Sequence, residues 1–158
     1  MNYVIREMPP SDYPLLEVFL YLAIFVPEGM VPPPRDVIRH PDLQVYICGF
    51  GQSVHDTAFA AYADGKAVGA VWCRIMQDYG HIDSETPSLA ISLLPDYRGR
   101  GIGKALMQAM LAALKKKGYP SVSLSVQKEN DAVKLYRALD FRVLKESGGE
   151  YIMLRALQ

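Results

Sequence analysis

Leu94-Pro95-Asp96-Tyr97-Arg98-Gly99-Arg100-Gly101-Ile102-Gly103-Lys104 is the stretch on which the fold of this chain turns. Just before it, residues 88–94 form an apolar, strand-like run that a proline closes. Just after it, a helical pattern over residues 101–117 begins without a break, with Ile102, Leu106, Met110, Ala113 and Leu114 on one face. That spacing predicts an amphipathic helix lying on a core. A strand passed through a glycine-rich turn into a helix exposes backbone N–H groups with no intrahelical partner, at the positive end of the helix dipole. Glycines at alternate positions let a ligand approach the backbone, because no Cβ stands in the way. Arg98, Arg100 and Lys104 add charge and donors. The stretch reads as a cradle for an anion, and a phosphate-bearing ligand is the natural candidate.

Two phosphate-binding patterns fail on spacing. The dinucleotide fingerprint needs Gly-x-Gly-x-x-Gly, whereas Gly99, Gly101 and Gly103 are spaced by two throughout. The P-loop needs a glycine five positions before its Gly-Lys-Ser/Thr; here Arg98 holds that position and Ala105 follows Lys104.

Outward from the turn, residues 121–127 alternate as a strand through Val122, Leu124 and Val126. Asn130 suits the cap of a helix over residues 131–139 that presents Val133, Leu135 and Leu139. Residues 141–145 and 151–155 then pair as a hairpin across Ser147-Gly148-Gly149. On the N-terminal side, residues 57–63 and 66–76 flank Asp64-Gly65, a strong short-hairpin signal. Residues 77–87 are a polar connection carrying Tyr79, His81, Asp83 and Glu85. Residues 2–7 read as a first strand, and Ser11 or Asp12 as the cap of a helix over residues 13–25. A proline-rich loop over residues 27–34 carries Glu28, and a short helix over residues 35–39 follows. Residues 42–51 fit neither period cleanly and lean towards helix. Lys115, Lys116 and Lys117 suit the C-terminal end of their helix, and Gly118 its C′ position. The order β-α-α-β-β-β-α-β-α-β-β predicts an α+β (mixed α/β) sheet with helices on its faces. With no linker, repeat or low-complexity segment, residues 1–158 read as a single domain.

Composition narrows the function classes. The 17 basic and 17 acidic residues of this 158-residue chain cancel, so no global field draws it to nucleic acid or to a membrane surface. Its N-terminus lacks the basic head and apolar block of a signal peptide. The most lipid-like run, residues 15–26, is broken by Glu17 and closed by Pro27, short of the roughly 18 apolar residues that span a bilayer. Cys48 and Cys73 have neither metal-ligand spacing nor a disulfide framework, which points to a reducing, cytoplasmic setting. Cys73, Met107 and Met110 read as core packing, and no metal site is expected.

The pattern Arg98-x-x-Gly101-x-Gly103 at a strand-to-helix junction resembles the signature of the GNAT family, the GCN5-related N-acetyltransferases. Asn130 followed by Leu135-Tyr136-x-x-x-Asp140-Phe141 resembles the family's second motif, which ends in Leu-Tyr-x-x-x-Gly-Phe. The resemblance runs from about residue 57 to residue 154 and implies the GNAT-type fold, a mostly antiparallel twisted sheet with helices on both faces. It also implies an acetyltransferase that moves an acetyl group from acetyl-coenzyme A to an amine of a small molecule or peptide. The turn residues Arg98, Gly99, Arg100, Gly101, Ile102, Gly103 and Lys104 would hold the pyrophosphate. Ser92 and Leu93 would pair with the pantetheine arm. Asn130 would contact the cofactor. Tyr136 would sit at the sulfur and protonate the departing thiolate, a role that suits a phenol of ordinary pKa about 10.

Two departures from the family pattern matter. Asp140 stands where glycine is usual, at a position that calls for left-handed backbone. The carboxylate base found in many members is missing at both of its common sites, where this chain has Ser88 and Ser125. Glu85 and His81, in the loop before the signature strand, are the substitute candidates, and Glu28 is a candidate contact for a cationic substrate. The missing base keeps a second reading open, a GNAT-fold module that binds acyl-coenzyme A without turnover. The sequence leaves a homodimer open as well.

Overall fold

A computed structural model describes residues 2–158. Its strands are β1 (Val4–Glu7), β2 (Thr57–Ala63), β3 (Lys66–Arg74), β4 (Ser88–Leu93), β5 (Ser121–Gln127), β6 (Arg142–Ser147) and β7 (Glu150–Ala156). They form one seven-stranded sheet in the order β1-β2-β3-β4-β5-β7-β6. Every neighbouring pair is antiparallel except β4 and β5, which run parallel. The helices are α1 (Leu16–Ala23), α2 (Pro41–Gln44), α3 (Ile102–Lys116) and α4 (Ala132–Ala138). The architecture is α+β, and the element order is the one the sequence predicts.

Side chains alternate across the sheet with the period of two that a strand imposes. Ala58, Ala60, Ala70 and Trp72 face α1 and pack with Leu16, Phe19 and Leu20. Ala61, Val71, Cys73, Val122 and Leu124 face the other way, onto Leu106, Met107, Met110 and Leu114 of α3. The two cores therefore hold the sheet from both sides. The Asp64-Gly65 hairpin turn has both residues at positive φ, 52° and 78°, as a tight turn matching strand twist requires.

The strands and the later helices differ from the sequence reading by one or two residues at their ends, and the larger differences lie in residues 10–51. Neither Ser11 nor Asp12 caps α1; a 3₁₀ turn over Pro10–Leu15 comes first, and the α-helix starts at Leu16. Pro14 sits inside that turn, and proline has no N–H to give to an α-helical ladder. The Asp12 carboxylate instead accepts a 2.7 Å hydrogen bond from the Tyr62 hydroxyl. At its other end α1 stops at Ala23 because Ile24 is extended, with ψ 121°. The helix leaning of residues 42–51 holds only for Pro41–Gln44; turns follow, with Gly49 and Gly51 at positive φ. The segment over Arg35–Arg39 is a 3₁₀ helix. Asn130, Gly118 and Asp140 behave as read. The Asn130 side chain accepts from the Ala132 N–H at 2.9 Å, and the other two take φ of 91° and 68°. No helix among the described residues is long and apolar enough to cross a membrane.

Candidate active site

The site is made by a failure of pairing. β4 and β5 are joined at a single register position, Ser88 with Ser123, closed by a 3.0 Å bond from the Ser123 N–H to the Pro87 carbonyl. Beyond it the parallel strands diverge. The edge of β4 that faces β5 is left with backbone groups that no strand satisfies, although its other edge is fully laddered to β3. Buried backbone groups demand partners, so the fork presents a ready-made edge for an extended, amide-bearing ligand. A cleft of about 890 Å³ occupies it, lined on one side by Leu89, Ala90, Ile91, Ser92 and Leu93 and on the other by Leu124, Ser125, Val126 and Gln127.

The closed end of the fork is held by the loop after β3. The Ser123 hydroxyl donates to the Gly80 carbonyl at 2.7 Å. A Cβ on Gly80 would lie 3.1 Å from the β5 backbone at Leu124 and Ser125, so a larger residue there would push the loop away from the strand.

At the open end, the chain leaves β4 through a 3₁₀ turn at Pro95–Tyr97 and enters α3 from Gly101. Gly101 has φ 84°, a conformation that a side chain disfavours. No side chain caps the helix, so the first N–H groups of α3 remain open to a ligand at the positive end of a 15-residue helix. Arg98 and Gly103 line the cleft at this end, and the Arg98 Nε donates to the Leu93 carbonyl at 3.3 Å. Gly99, Arg100 and Lys104 are exposed around the turn, while Ile102 is wholly buried and anchors it to the core. These groups suit a pyrophosphate. Replacing Gly101 by alanine should cost about 1 kcal/mol, since the strain is conformational and the space around a Cβ is open. Thermal melting should fall by about 2–4 °C.

Asn130 and Tyr136 also line the cleft, together with Leu135. Tyr136 is buried against Phe141, with ring centroids 5.9 Å apart, and burial pushes its phenol up to about 12. It is therefore a protonated group throughout the neutral range. Ser92 lines the cleft as well, and its hydroxyl donates to the Phe19 carbonyl at 2.6 Å, tying β4 to α1.

His81 and Glu85 are not brought to the cleft. The ring nitrogens of His81 are engaged by the Met76 carbonyl at 2.8 Å and the Gln77 side chain at 3.3 Å. Glu85 is exposed at the surface, its N–H bonded to Asp83 at 2.9 Å. Glu28 is exposed too. Two residues that the sequence reading passed over do reach the cleft, Tyr46 and Glu150. Tyr46 follows α2 in a segment with no clean period. Glu150 opens β7 in register with Gln127, whose amide donates to it at 3.2 Å, and burial raises its carboxyl above the ordinary range.

A parallel fork feeding an uncapped helix defines the class of protein. The model of the acetyltransferase (GNAT) family matches residues 26–141, and the chain belongs to that family. An N-alpha-acetyltransferase of Sulfurisphaera tokodaii is 34% identical over 96 residues, covering 55% of this chain and 57% of the relative. Other curated relatives are spanned to as little as 19% and as much as 60% of their length. Among solved structures, PaiA N-acetyltransferase from Thermoplasma acidophilum in complex with coenzyme A has a TM-score of 0.71 at 20% identity, covering 99% of both chains. The structure of yncA from Salmonella typhimurium with its cofactor acetyl-CoA has a TM-score of 0.71 at 15% identity, covering 100% of this chain and 95% of the other. The likeness extends over the described fold, including residues 2–56, where the sequence carries no family motif.

Proposed function

We propose that this chain is an acetyl-coenzyme A-dependent N-acetyltransferase. The observation that carries the reading is the cleft itself, which runs from an uncapped, arginine-flanked helix start to a buried tyrosine along an unladdered strand edge. The α3 turn, with Arg98, Gly99, Arg100, Gly101, Ile102, Gly103 and Lys104, binds the pyrophosphate. The β4 backbone at Ser92 and Leu93 pairs with the pantetheine arm, and Asn130 flanks it. The amine attacks the thioester carbon, and backbone N–H groups of β4 stabilise the resulting oxyanion. Tyr136 donates its proton to the departing thiolate. The burial that holds this phenol at about 12 raises the proton affinity of a thiolate in the same surroundings, so the transfer is not defeated by the shift.

The acceptor end supports an amine carried on an apolar body. Phe25, Val26, Val37, Leu43 and Tyr79 line the cleft, as does Glu150, whose charge acts on Tyr79. A small-molecule amine and a peptide N-terminus both meet that description. A reducing cytoplasm suits the exposed free thiol of Cys48.

Acetyl-coenzyme A at about 100 times its Kd should stabilise the fold by about 2.7 kcal/mol, a melting shift of about 5–10 °C. A panel of apolar primary amines, followed by thiol release, should then give turnover. No shift with any acyl thioester would overturn the reading. One observation favours a second reading, a module that binds acyl-coenzyme A without turnover: neither His81 nor Glu85 lines the cleft. A melting shift with no thiol release from any amine would select it.

A further inference from the structure

An amine that attacks a thioester must lose a proton, and the residues proposed from the sequence for that task face elsewhere. The structure places a different carboxylate beside the cleft. Asp78, in the loop after β3, lies among three hydroxyl groups: Tyr46 from the segment after α2, Ser88 at the start of β4 and, beyond Tyr46, Ser125 of β5. Tyr46 and Ser125 line the cleft, and Asp78, outside the lining, neighbours Tyr46. The cluster sits where β4 and β5 part, since Ser88 is the residue of β4 that pairs with β5 and Ser125 follows the fork on β5.

Asp78 Oδ1 and Ser88 Oγ are both buried with no hydrogen-bond partner. Asp78 forms no ion pair among the described residues. A buried carboxylate with neither a cation nor a full set of donors is costly to keep, and such expense concentrates where chemistry needs it. Tyr46 is fixed from behind by the Trp72 indole N–H, which donates to its carbonyl at 3.1 Å. This clamp fixes the backbone that carries the Tyr46 ring.

We propose that Tyr46 and Asp78 form the proton-accepting pair of this enzyme, Tyr46 at the amine and Asp78 as the positioning and receiving group behind it. The inference rests on the acetyltransferase reading above. In the step, the amine lone pair forms the N–C bond. The N–H proton passes to the Tyr46 oxygen, and the proton of the Tyr46 hydroxyl passes to Asp78. The tetrahedral oxyanion then re-forms its C=O, the C–S bond breaks with its electron pair leaving on sulfur, and sulfur takes the proton of Tyr136. Solvent removes the proton from Asp78 and returns one to Tyr136, so the products are an amide and a thiol with no net proton gained or lost.

The charge states fit. Desolvation raises the Asp78 carboxyl above its ordinary value, towards the range in which a base works at neutral pH. Burial, with the Asp78 charge beside it, raises the Tyr46 phenol, which keeps Tyr46 protonated and ready to relay. The remaining titratable neighbours are Tyr79, next in the chain, and Glu150 and Asp42, whose charges act on Tyr79.

The test compares Asp78→Asn and Tyr46→Phe with the wild type by thiol release, using the best amine of the panel, across pH. Both variants should keep the melting shift with acetyl-coenzyme A and lose at least tenfold in kcat/KM at neutral pH. Asp78→Asn should also lose the acid limb that Asp78 sets, leaving only the limb set by ionisation of the amine. A role confined to folding would not move that limb. Asp78→Asn should melt no lower than the wild type at neutral pH. With the native carboxyl raised, the folded state holds the proton more tightly than the unfolded state. Stability therefore falls as pH rises from the ordinary carboxyl range through the raised value, and the amide removes that loss. Wild-type turnover with both variants within threefold of it and an unmoved acid limb would overturn this proposal alone. Absence of wild-type turnover with every amine would overturn it together with the function on which it rests.

Discussion

Replacing Tyr136 with phenylalanine should lower kcat by about 100- to 1,000-fold, the scale on which a positioned general acid contributes, and leave acetyl-coenzyme A binding intact. The ring stays, so its packing against Phe141 and the shape of the cleft wall persist. Only the hydroxyl goes, and with it the proton proposed for the thiolate. The melting shift produced by acetyl-coenzyme A is the control, because it reads binding without chemistry, and it should match the wild type within a degree or two. The variant should be as stable as the parent at neutral pH. In strong alkali it should be the more stable of the two. The native phenol is held at about 12 by burial, while the unfolded phenol ionises near its ordinary 10. The wild type therefore loses stability as pH rises between those values, and phenylalanine has nothing to ionise. A kcat within threefold of the parent would remove Tyr136 from the chemistry and leave it as a core aromatic.

The proposed donor half of the candidate site is legible in the sequence because its chemistry is local. A pyrophosphate cradle needs left-handed glycine and uncapped N–H groups within a few residues, and Gly99, Gly101 and the start of α3 write that requirement contiguously. The Asn130 cap and the left-handed Asp140 are local in the same sense, set by hydrogen bonds across a few residues. The acceptor half was not legible, because its residues share no element. Tyr46 comes from an aperiodic segment, Asp78 from a loop, Ser125 from β5 and Glu150 from a strand start, and only the divergence of β4 from β5 collects them. His81 and Glu85 were the natural candidates for a base by chemical type and proximity in sequence. The loop that carries them folds with Gly80 against β5. This brings Asp78 to the fork, leaving His81 bonded to the Met76 carbonyl and Glu85 in solvent. The N-terminal boundary was missed for a simpler reason: Pro14 delays the α-helix by one turn.

Substituting Asp56 by alanine should produce a large loss of stability, about 3–5 kcal/mol, the cost of stranding a buried charge. Asp56 and Arg74 form a two-pronged pair, Nε to Oδ1 and Nη2 to Oδ2, each at 3.1 Å. Their side chains are only 0% and 11% exposed, respectively. The same guanidinium donates to the Val45 and Cys48 carbonyls at 3.2 and 2.8 Å, and the carboxylate accepts from the Gly51 N–H at 2.8 Å. The pair thus does for residues 45–56 what a regular ladder does elsewhere, fixing an aperiodic segment to the end of β3. Without the carboxylate, Arg74 keeps its two carbonyls but loses its counter-charge, and the Gly51 N–H loses its acceptor. Melting should fall by about 6–20 °C. Because the segment carries Tyr46, turnover of the surviving folded protein should fall as well. The double variant Asp56→Ala with Arg74→Met discriminates the cause. If the loss comes from an unpaired buried charge, removing that charge restores a large part of it, and the two substitutions are strongly non-additive. If the loss comes instead from the hydrogen bonds that Arg74 makes to residues 45 and 48, the double variant is worse than either single one. Tyr46 would then be held chiefly by the Trp72 indole.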